Sequence, residues 1–351
     1  MKWLVAVGLV LGVLVIGGVF VVRSLDLSGI MGGPCFCGDA GPSWSPDGRL
    51  IVYTHNERNK DSHLYVIKPQ GGKPERLTGH GDDSSPVWSP DGSTIAFVHG
   101  EKDPSSQTCD LNGENCKRYY IQVLSSGNGA RRLAESDEGG FLQWSPDGTR
   151  IAYTDADSDL LHAVRADGTS DLTFDLGSSA GASITPDGFD WSGSHSLVYS
   201  SDGQIYFVTA DSRVRWKDFK SRTVEFVDWS PHGNKLAFVN AKGLFVMNVD
   251  GSRPRRLGGT SSSESAWSPD GTRLAWTEDG TIVVANSDGS RRRKLVVKGA
   301  YSPGSPTWSP DGTRLVFSAE PAQGAKEGLD DDETKLFIVP LAQPGRIRRL
   351  T

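Results

Sequence analysis

The feature that most constrains the fold is a five-residue segment, Trp-Ser-Pro-Asp-Gly, which recurs along the whole chain after residue 40. Intact copies begin at Trp44, Trp88, Trp144, Trp267 and Trp308, and altered copies begin at Trp191 and Trp229. A short apolar run follows each copy, for example residues 50–53. Self-similarity of this kind is typical of repeat architectures, so the chain is predicted to consist of seven similar units.

Each residue type in the segment suits a tight reversal between two strands. Proline fixes φ near the value that a type I turn needs, aspartate hydrogen-bonds to nearby backbone, and glycine accepts the positive φ that closes the turn. The tryptophan supplies a large apolar surface to bury and one N–H that needs a partner. Because seven of the ten tryptophans hold this position, we interpret them as structural residues.

The rest of each unit predicts two further strands. An apolar third strand, such as residues 64–67, leads through a tight turn to a short basic fourth strand, such as residues 131–133. Successive repeat tryptophans are 44, 56, 47, 38, 38 and 41 residues apart, spacings that match one propeller blade per repeat. The predicted fold is therefore all-β: a seven-bladed β-propeller of four-stranded antiparallel blades over residues 42–351, preceded by one N-terminal transmembrane helix.

These hairpins resemble the WD-repeat-like propeller repeats of the periplasmic translocation protein TolB, and those of the propeller domains of prolyl oligopeptidases. The resemblance covers residues 40–351 and implies a TolB-type propeller. It implies no single function, because propeller repeats of this type serve many tasks. TolB usually has six blades, so the chain is expected to be a relative of TolB and not TolB itself.

The first 23 residues predict a membrane anchor. Residues 4–22 form an unbroken apolar run between Lys2 and Arg23, which is long enough to cross a bilayer as a helix. A cleaved signal peptide is the alternative, but we find no convincing small-x-small cleavage site. We expect an uncleaved signal anchor over residues 1–23 and a linker over residues 24–41. The flanking charges are too balanced to fix the orientation.

The cysteines bear on the cellular compartment. Cys109 and Cys116 bracket a short polar loop, and we predict a disulfide between them, with a zinc site or free thiols as alternatives. Cys35 and Cys37 lie in the predicted linker, and their role is left open. A disulfide indicates an oxidising compartment, so the propeller is expected outside the cytoplasm, in the periplasm or at the cell surface. A net charge of −6 gives no indication of a nucleic-acid partner.

Strand direction alternates, so the connections divide between the two faces of the disc. The Ser-Pro-Asp-Gly turns and the turns between third and fourth strands fall on one face, here called the tight-turn face. The other connections, within and between blades, fall on the opposite face and vary in length, for example residues 99–118 and 319–335. Binding residues usually collect on adaptable loops of a rigid scaffold, so this variable face is the predicted functional face.

Polar side chains expected near the channel mouth on the variable face form the candidate ligand-binding set. They are His80, Asp82, Asp83, Asp137, Glu138, Glu225, Asp228, Glu264 and Tyr301. Converging acids there can bind a cationic group or a metal, and His80 can act as a ligand. No pair has a spacing that defines catalytic chemistry, so no catalytic residue, metal site or cofactor is predicted.

Four other motifs are interpreted as structural or solvated. Residues 177–181 match the Gly-x-Ser-x-Gly nucleophile pattern, but they lie in a loop between blades and not in a strand–turn–helix. The acids of residues 155–159 lack the last ligand of a calcium loop, and the acidic residues 330–333 read as a solvated loop. Arginine clusters such as residues 291–294 are expected to protect the outer strands from edge-to-edge pairing.

We interpret the chain as a membrane-anchored, extracytoplasmic interaction module that binds a protein or an envelope glycan through the variable face. One alternative is an enzyme with its site in the central channel, such as a polysaccharide lyase or hydrolase of the TolB-like propeller type. Lyases that resemble this chain need clustered metal ligands, and its seven histidines are dispersed in sequence. A second alternative is a sensor or assembly component that resembles TolB.

Overall fold

A computed structural model describes residues 38–57, 61–104, 116–127, 129–136, 141–155, 160–169, 171–175, 188–193, 196–201, 204–209, 212–215, 224–259, 262–296, 301–321 and 334–351. Strands within these ranges form seven antiparallel sheets, and each sheet is built from one continuous stretch of the chain. This arrangement confirms the all-β, seven-bladed propeller with four-stranded blades.

The predicted helix over residues 1–23 lies outside the described residues. Among the ranges that the structure describes, there is no helix with the length and hydropathy needed to span a bilayer.

The strands are numbered in chain order, and the first strand of each blade is the innermost, because first strands of neighbouring blades contact one another. Blades one and two comprise β1 (Gly38–Trp44), β2 (Ile51–Asn56), β3 (Ser62–Ile67) and β4 (Glu75–Arg76), then β5 (Asp82–Trp88), β6 (Thr94–Lys102), β7 (Lys117–Ser125) and β8 (Arg131–Ser136). Blades three and four comprise β9 (Leu142–Trp144), β10 (Arg150–Asp155), β11 (Leu160–Arg165) and β12 (Asp171–Asp175), then β13 (Gly188–Gly193), β14 (Ser196–Ser201), β15 (Gln204–Thr209) and β16 (Ser212–Arg215).

Blades five and six comprise β17 (Val224–Trp229), β18 (Lys235–Asn240), β19 (Gly243–Asn248) and β20 (Arg255–Arg256), then β21 (Ser262–Trp267), β22 (Arg273–Glu278), β23 (Thr281–Asn286) and β24 (Arg293–Leu295). Blade seven comprises β25 (Tyr301–Pro303), β26 (Thr307–Trp308), β27 (Arg314–Pro321), β28 (Lys335–Pro340) and β29 (Arg348–Arg349). Its innermost strand is interrupted, since β25 and β26 both pair with β27.

The hydrophobic core is divided among the seams, where the faces of neighbouring blades meet. Ile51, Val52 and Tyr53 of β2 are all buried, because one face of the blade packs on blade seven and the other on blade two. Central strands buried on both faces read as continuous apolar runs, which is why the runs after each tryptophan do not alternate.

The repeat tryptophans connect neighbouring blades. Trp44, Trp191, Trp267 and Trp308 are buried, and Trp88, Trp144 and Trp229 are half-buried. In four seams the indole N–H donates to the backbone oxygen of the residue before the tryptophan of the preceding blade. These bonds run from Trp144 to Val87 (3.2 Å), Trp191 to Gln143 (3.1 Å), Trp267 to Asp228 (3.1 Å) and Trp308 to Ala266 (2.9 Å). In these four seams, the partner that the indole N–H was expected to need is therefore a backbone oxygen of the preceding blade.

The Ser-Pro-Asp-Gly turns have the geometry that their residue types predict. In the first turn, Ser45 Oγ donates to Asp47 Oδ1 over 2.6 Å, and the same oxygen accepts the Arg49 N–H over 3.0 Å. Gly48 closes the turn with φ +69°. A carboxylate that accepts hydrogen bonds within its own turn stabilises the reversal without help from the rest of the blade.

Blades one and seven close the ring without exchanging a complete strand. Side chains from both blades share one core cluster, and the Asp39 N–H donates to Thr334 O over 2.8 Å. Gly38, beside it, forms a parallel bridge with Thr334. Residues 38–41, predicted to be linker, therefore belong to blade one, because their backbone pairs both with β2 and with blade seven.

Candidate functional site

Two predicted site residues begin the first strand of blade two on the variable face. Asp82 and Asp83 open β5, and His80 lies just before them in the exposed connection from blade one. The structure therefore brings these three residues together at the seam between blades one and two. Their role in ligand binding stays a prediction.

Two aspartate–histidine pairs occupy equivalent positions in blades one and two. His55 Nδ1 lies 2.7 Å from Asp39 Oδ1, and His99 Nδ1 lies 2.6 Å from Asp83 Oδ1. The aspartate side chains are only 3% and 0% exposed, so each carboxylate is held by its histidine within the protein. This arrangement fixes the orientation of both imidazoles.

Asp82 connects blades one and two. Its Oδ1 accepts hydrogen bonds from the Ser62 N–H (2.8 Å) and Ser62 Oγ (2.7 Å), and its Oδ2 lies 2.5 Å from Lys117 Nζ. Burial raises the pKa of Asp82, but the Lys117 and Ser62 hydrogen bonds outweigh burial and leave the pKa below its usual value. The carboxylate is thus ionised at neutral pH and holds the start of β5 against the start of β3.

His63 was not predicted as a site residue, although alignment of the second and third strands of blade one places it opposite His55. The two residues are cross-strand partners in β2 and β3. His63 is buried, and its Nδ1 has no hydrogen-bond partner within the described residues. Burial lowers the pKa of His63, so the ring is neutral at pH 7.

Of the remaining predicted residues, Asp228 has a described side chain, and it lies elsewhere. Asp137 and Glu138 lie outside the described residues. The structure describes only the backbone of Glu225, Glu264 and Tyr301, which lie in β17, β21 and β25 respectively. Asp228 directly precedes Trp229, so it lies near the tight-turn end of β17 and not at the variable-face mouth as expected. The error arises because the loop position was assigned without the strand register.

Asp228 instead takes part in a polar chain across blades three to six. The Asp190 carboxyl group, one blade earlier, is hydrogen-bonded to the side chains of Asp228 and Gln143, and Ser265 Oγ lies 3.5 Å from Asp228 Oδ2. Asp190 keeps some accessible surface, yet protein surrounds its carboxyl group. Burial raises the pKa of Asp190 to about 6, more than the hydrogen bonds to its carboxylate lower it.

Two exposed large apolar side chains of the described residues also lie on the variable face. Phe141 is 55% exposed just before β9 begins, and Val296 is 70% exposed just after β24 ends. First strands begin and fourth strands end on the variable face, so both side chains project there. Neither was predicted, because exposure of a single apolar residue leaves no mark on the repeat pattern.

An open pocket of about 230 Å³ lies on the variable face of blade seven. It forms where the innermost strand is interrupted between β25 and β26 and the Gly304 N–H bonds to Ser318 O over 2.8 Å. Its lining consists of Pro303, Gly304, Ser318, Ala319, Glu320 and Thr334. Thr334 also contacts Asp39, so the pocket adjoins the first aspartate–histidine pair.

Within the described ranges, no cluster of three or more histidine, cysteine, aspartate or glutamate side chains has a geometry suited to a metal ion. Cys116 takes part in a disulfide bond. Cys109 lies outside the described residues, so its pairing with Cys116 stays a prediction.

Comparison with known proteins agrees with the observed blades. The family model described as the TolB beta propeller domain matches residues 33–172 and 110–329. Among solved structures, the chain is similar to the beta-propeller domain of the Trilobed protease from Pyrococcus furiosus, which is described as having an open velcro topology. That likeness has a TM-score of 0.62 and 13% identity, and it covers 90% of this chain and 98% of the other. No curated protein matches the chain. Since the family model spans most of the sequence, the chain belongs to the TolB beta propeller domain family.

Proposed function

We propose that the chain is a membrane-anchored, extracytoplasmic interaction module whose variable face binds a protein partner or an envelope glycan. The observation that carries this proposal is the position of Phe141 and Val296, the two exposed large hydrophobic residues of the described chain, on that face. Large apolar side chains, aromatic ones above all, are frequent anchors at binding surfaces.

The polar groups beneath that face are held in place before a partner arrives. Both aspartate–histidine pairs and the Asp82–Lys117 pair have hydrogen-bond distances between 2.5 and 2.7 Å. Side chains fixed in this way lose little conformational entropy on binding, which favours affinity. This support is independent of the apolar residues.

Anchoring and location rest on the sequence and on Cys116. The apolar run of residues 4–22 is long enough to span a bilayer. The disulfide at Cys116 is compatible with an oxidising compartment. Addition of a membrane-impermeant thiol reagent to intact cells, after reduction, would test the location: labelling of Cys116 supports an extracytoplasmic propeller, and labelling only after lysis contradicts it.

Binding can be tested with the full-length chain in neutral detergent micelles. The chain would be mixed with membranes of its own host, chemically cross-linked and purified, and the same preparation would be tested against envelope glycans. We expect the double substitution Phe141→Ser and Val296→Ser to abolish retention of the partner. Arg253→Ala, an exposed substitution on the tight-turn face, is the matched control and should leave retention intact. Equal retention by all three proteins would overturn the choice of face.

A channel enzyme, such as a polysaccharide lyase or hydrolase, is a second candidate because of one observation. Asp190 and Asp228 place two hydrogen-bonded carboxyl groups at the inner edge of the ring, and the raised pKa of Asp190 suits a proton donor near neutral pH. Incubation with uronic-acid polymers and related glycans would test this function. Product formation that disappears in Asp190→Asn would favour the enzyme, whereas product formation that is equal in the variant, or absent from both proteins, would contradict it.

A further inference from the structure

The basic fourth strands have a role beyond protection of the blade edges. In three seams, the first arginine of this strand reaches across to the next blade and donates to backbone oxygens of the turn between its third and fourth strands. These bonds run from Arg131 to Ala166 and Asp167 (2.5 and 3.0 Å), from Arg255 to Asp288 (2.7 Å), and from Arg348 to Pro69 and Gln70 (2.5 and 2.5 Å). We call this contact the seam clamp.

At the seam between blades six and seven, the corresponding residue makes no clamp. The sequence Arg-Lys-Leu at residues 293–295 aligns with Arg-Arg-Leu at residues 255–257, so Arg293 holds the clamp position of blade six. The matching turn of blade seven offers the backbone oxygens of Leu341 and Ala342. Yet within the described part of the chain Arg293 has no hydrogen bond or ion pair, and its neighbour Arg291 has none either.

A groove of about 380 Å³ lies where the missing clamp would be, on the tight-turn face. Apolar groups form its floor, and they include Val284, Leu295, Leu341 and Pro344. Arg291 and Arg293 stand at its rim and are exposed. The groove thus combines a buried apolar surface with two guanidinium groups that no described residue neutralises.

Two other charged side chains line the groove, but both are engaged by the protein. Arg273 donates to Gly312 O over 2.9 Å and stacks over the Trp308 ring. Asp311 accepts from Ser309 Oγ over 2.5 Å and lies 3.6 Å from Arg314. The unbalanced charge of the groove therefore comes from Arg291 and Arg293 and is positive.

We infer that this groove docks an acidic peptide segment of a partner protein, with an Asp or Glu carboxylate between Arg291 and Arg293 and an adjacent apolar side chain on the floor. In two of the clamped seams, the arginine at this position donates to a pair of peptide oxygens, and in the third it donates to one. A carboxylate offers a similar pair of oxygens and carries the charge that completes the interaction. The apolar floor favours a peptide over a free inorganic anion, which has no apolar group to bury.

The test uses the full-length chain in neutral detergent and a fluorescein-labelled peptide of alternating glutamate and leucine, with fluorescence anisotropy as the readout. A peptide in which glutamine replaces glutamate is the ligand control. We expect saturable binding of the acidic peptide only. Arg293→Glu should weaken it by about tenfold or more, since one charge-assisted bond is lost and a repulsion is added.

Arg253→Ala is the matched protein control. Arg253 is the exposed counterpart of Arg291 in blade five, where Arg255 clamps the next seam, so this substitution should leave the affinity unchanged. Thermal unfolding would verify that both variants are folded. Equal affinity of Arg293→Glu and the parent protein, or equal binding of the glutamine peptide, would overturn the proposal.

Two further measurements distinguish other occupants. Sedimentation velocity of the protein alone would reveal self-association; association abolished by Arg293→Glu would assign the groove to a second copy and overturn the proposal. Binding to vesicles that contain phosphatidylglycerol, without binding of the peptide, would assign it to anionic lipid and also overturn it. Failure of the variable-face experiment leaves this result unaffected, because the two sites lie on opposite faces.

Discussion

The carboxylate of Asp190 accepts a hydrogen bond from the backbone N–H of Trp229, 2.6 Å away across the seam between blades four and five. Its other oxygen accepts the Trp191 N–H of its own strand over 2.7 Å. The innermost strand of a blade has one unpaired edge, and its N–H groups need acceptors there. Asp190 thus satisfies two inner-edge N–H groups and joins two blades.

This carboxyl group should make the stability of the propeller depend on pH. Its folded-state pKa of about 6 lies above the ordinary value of 3.8, so the folded protein binds the proton more tightly than the unfolded chain. The unfolding free energy should therefore fall as pH rises from about 4 to about 6, by on the order of 2 kcal/mol. Asp190→Asn resembles the protonated form and should remove this fall. Urea unfolding at several pH values checks it, and parallel curves for the two proteins would refute it.

The blades could be predicted from sequence because the information is local. Turn residues such as Pro46 and Gly48 define reversals by their own conformational preferences, and the repeat supplies the count. Asp190 escaped notice although it occupies the position before a repeat tryptophan, as Gln143 and Asp228 do. Alignment of that one position across the blades would have found the polar chain, since most blades place a small or apolar residue there or a neutral amide.

Removal of the Glu278 charge should lower the free energy of unfolding more than removal of most other single charges. Its side chain is 8% exposed, and it accepts the Gly259 N–H over 2.7 Å, the Trp276 indole N–H over 3.2 Å and a bond from Arg292. Burial raises its pKa, but these bonds prevail and lower the pKa to about 2. We expect Glu278→Gln to reduce the unfolding free energy by about 2 kcal/mol at pH 7.

The pH dependence of that substitution has the opposite sign to that of Asp190. The stability that Glu278 contributes is complete above pH 4.5 and is lost as pH falls toward about 2, since its folded-state pKa is depressed. The difference between Glu278→Gln and the parent protein should therefore shrink in acid. Glu320→Gln, the same change at an exposed position, is the control and should be nearly neutral. A constant difference from pH 7 to pH 2 would count against this account.

Features that join different blades could not be predicted from sequence, because they depend on the register of paired strands and on connections that differ from blade to blade. The position of Asp228 required the register of β17, and the exposure of Phe141 required the packing of the folded blade. The seam clamps are an intermediate case. Their arginines recur at a fixed repeat position, but their acceptors are backbone oxygens, which have no sequence signal.

The serine of the repeat turn should contribute more where the turn retains its aspartate. Ser268 is fully buried; its Oγ donates to Asp270 over 2.5 Å and accepts the Arg273 N–H over 2.9 Å. In blade five, Ser230 donates only to the neutral amide of Asn234, over 3.3 Å. Charge-assisted hydrogen bonds are roughly twice as strong as neutral ones. We expect Ser268→Ala to lower the unfolding free energy by about 2 kcal/mol and Ser230→Ala by about 1 kcal/mol. Equal losses in urea titrations would contradict the role assigned to the aspartate.

Arg348 should control how readily the ring opens, because its clamp joins the last blade to the first. Its guanidinium donates to Pro69 O and Gln70 O, beside the backbone contact from Asp39 to Thr334 at the same seam. The side chain is exposed, so Arg348→Ala should lower the global unfolding free energy by only about 1 kcal/mol. Local opening should respond more strongly, since seams open at lower free energy than the whole fold.

Hydrogen exchange followed by mass spectrometry separates these two effects. In Arg348→Ala, amides of β1 and β28 should exchange faster, while those of blade four keep their protection. The control is Arg349→Ala, which removes the exposed neighbour of Arg348, whose guanidinium donates to Thr351 O within its own blade. Uniform acceleration in all blades, or equal patterns in the two variants, would show that the ring is not held at this seam by the clamp. The comparison tests the clamp itself, since the two arginines are adjacent in sequence and Arg348 donates to Pro69 O and Gln70 O of blade one.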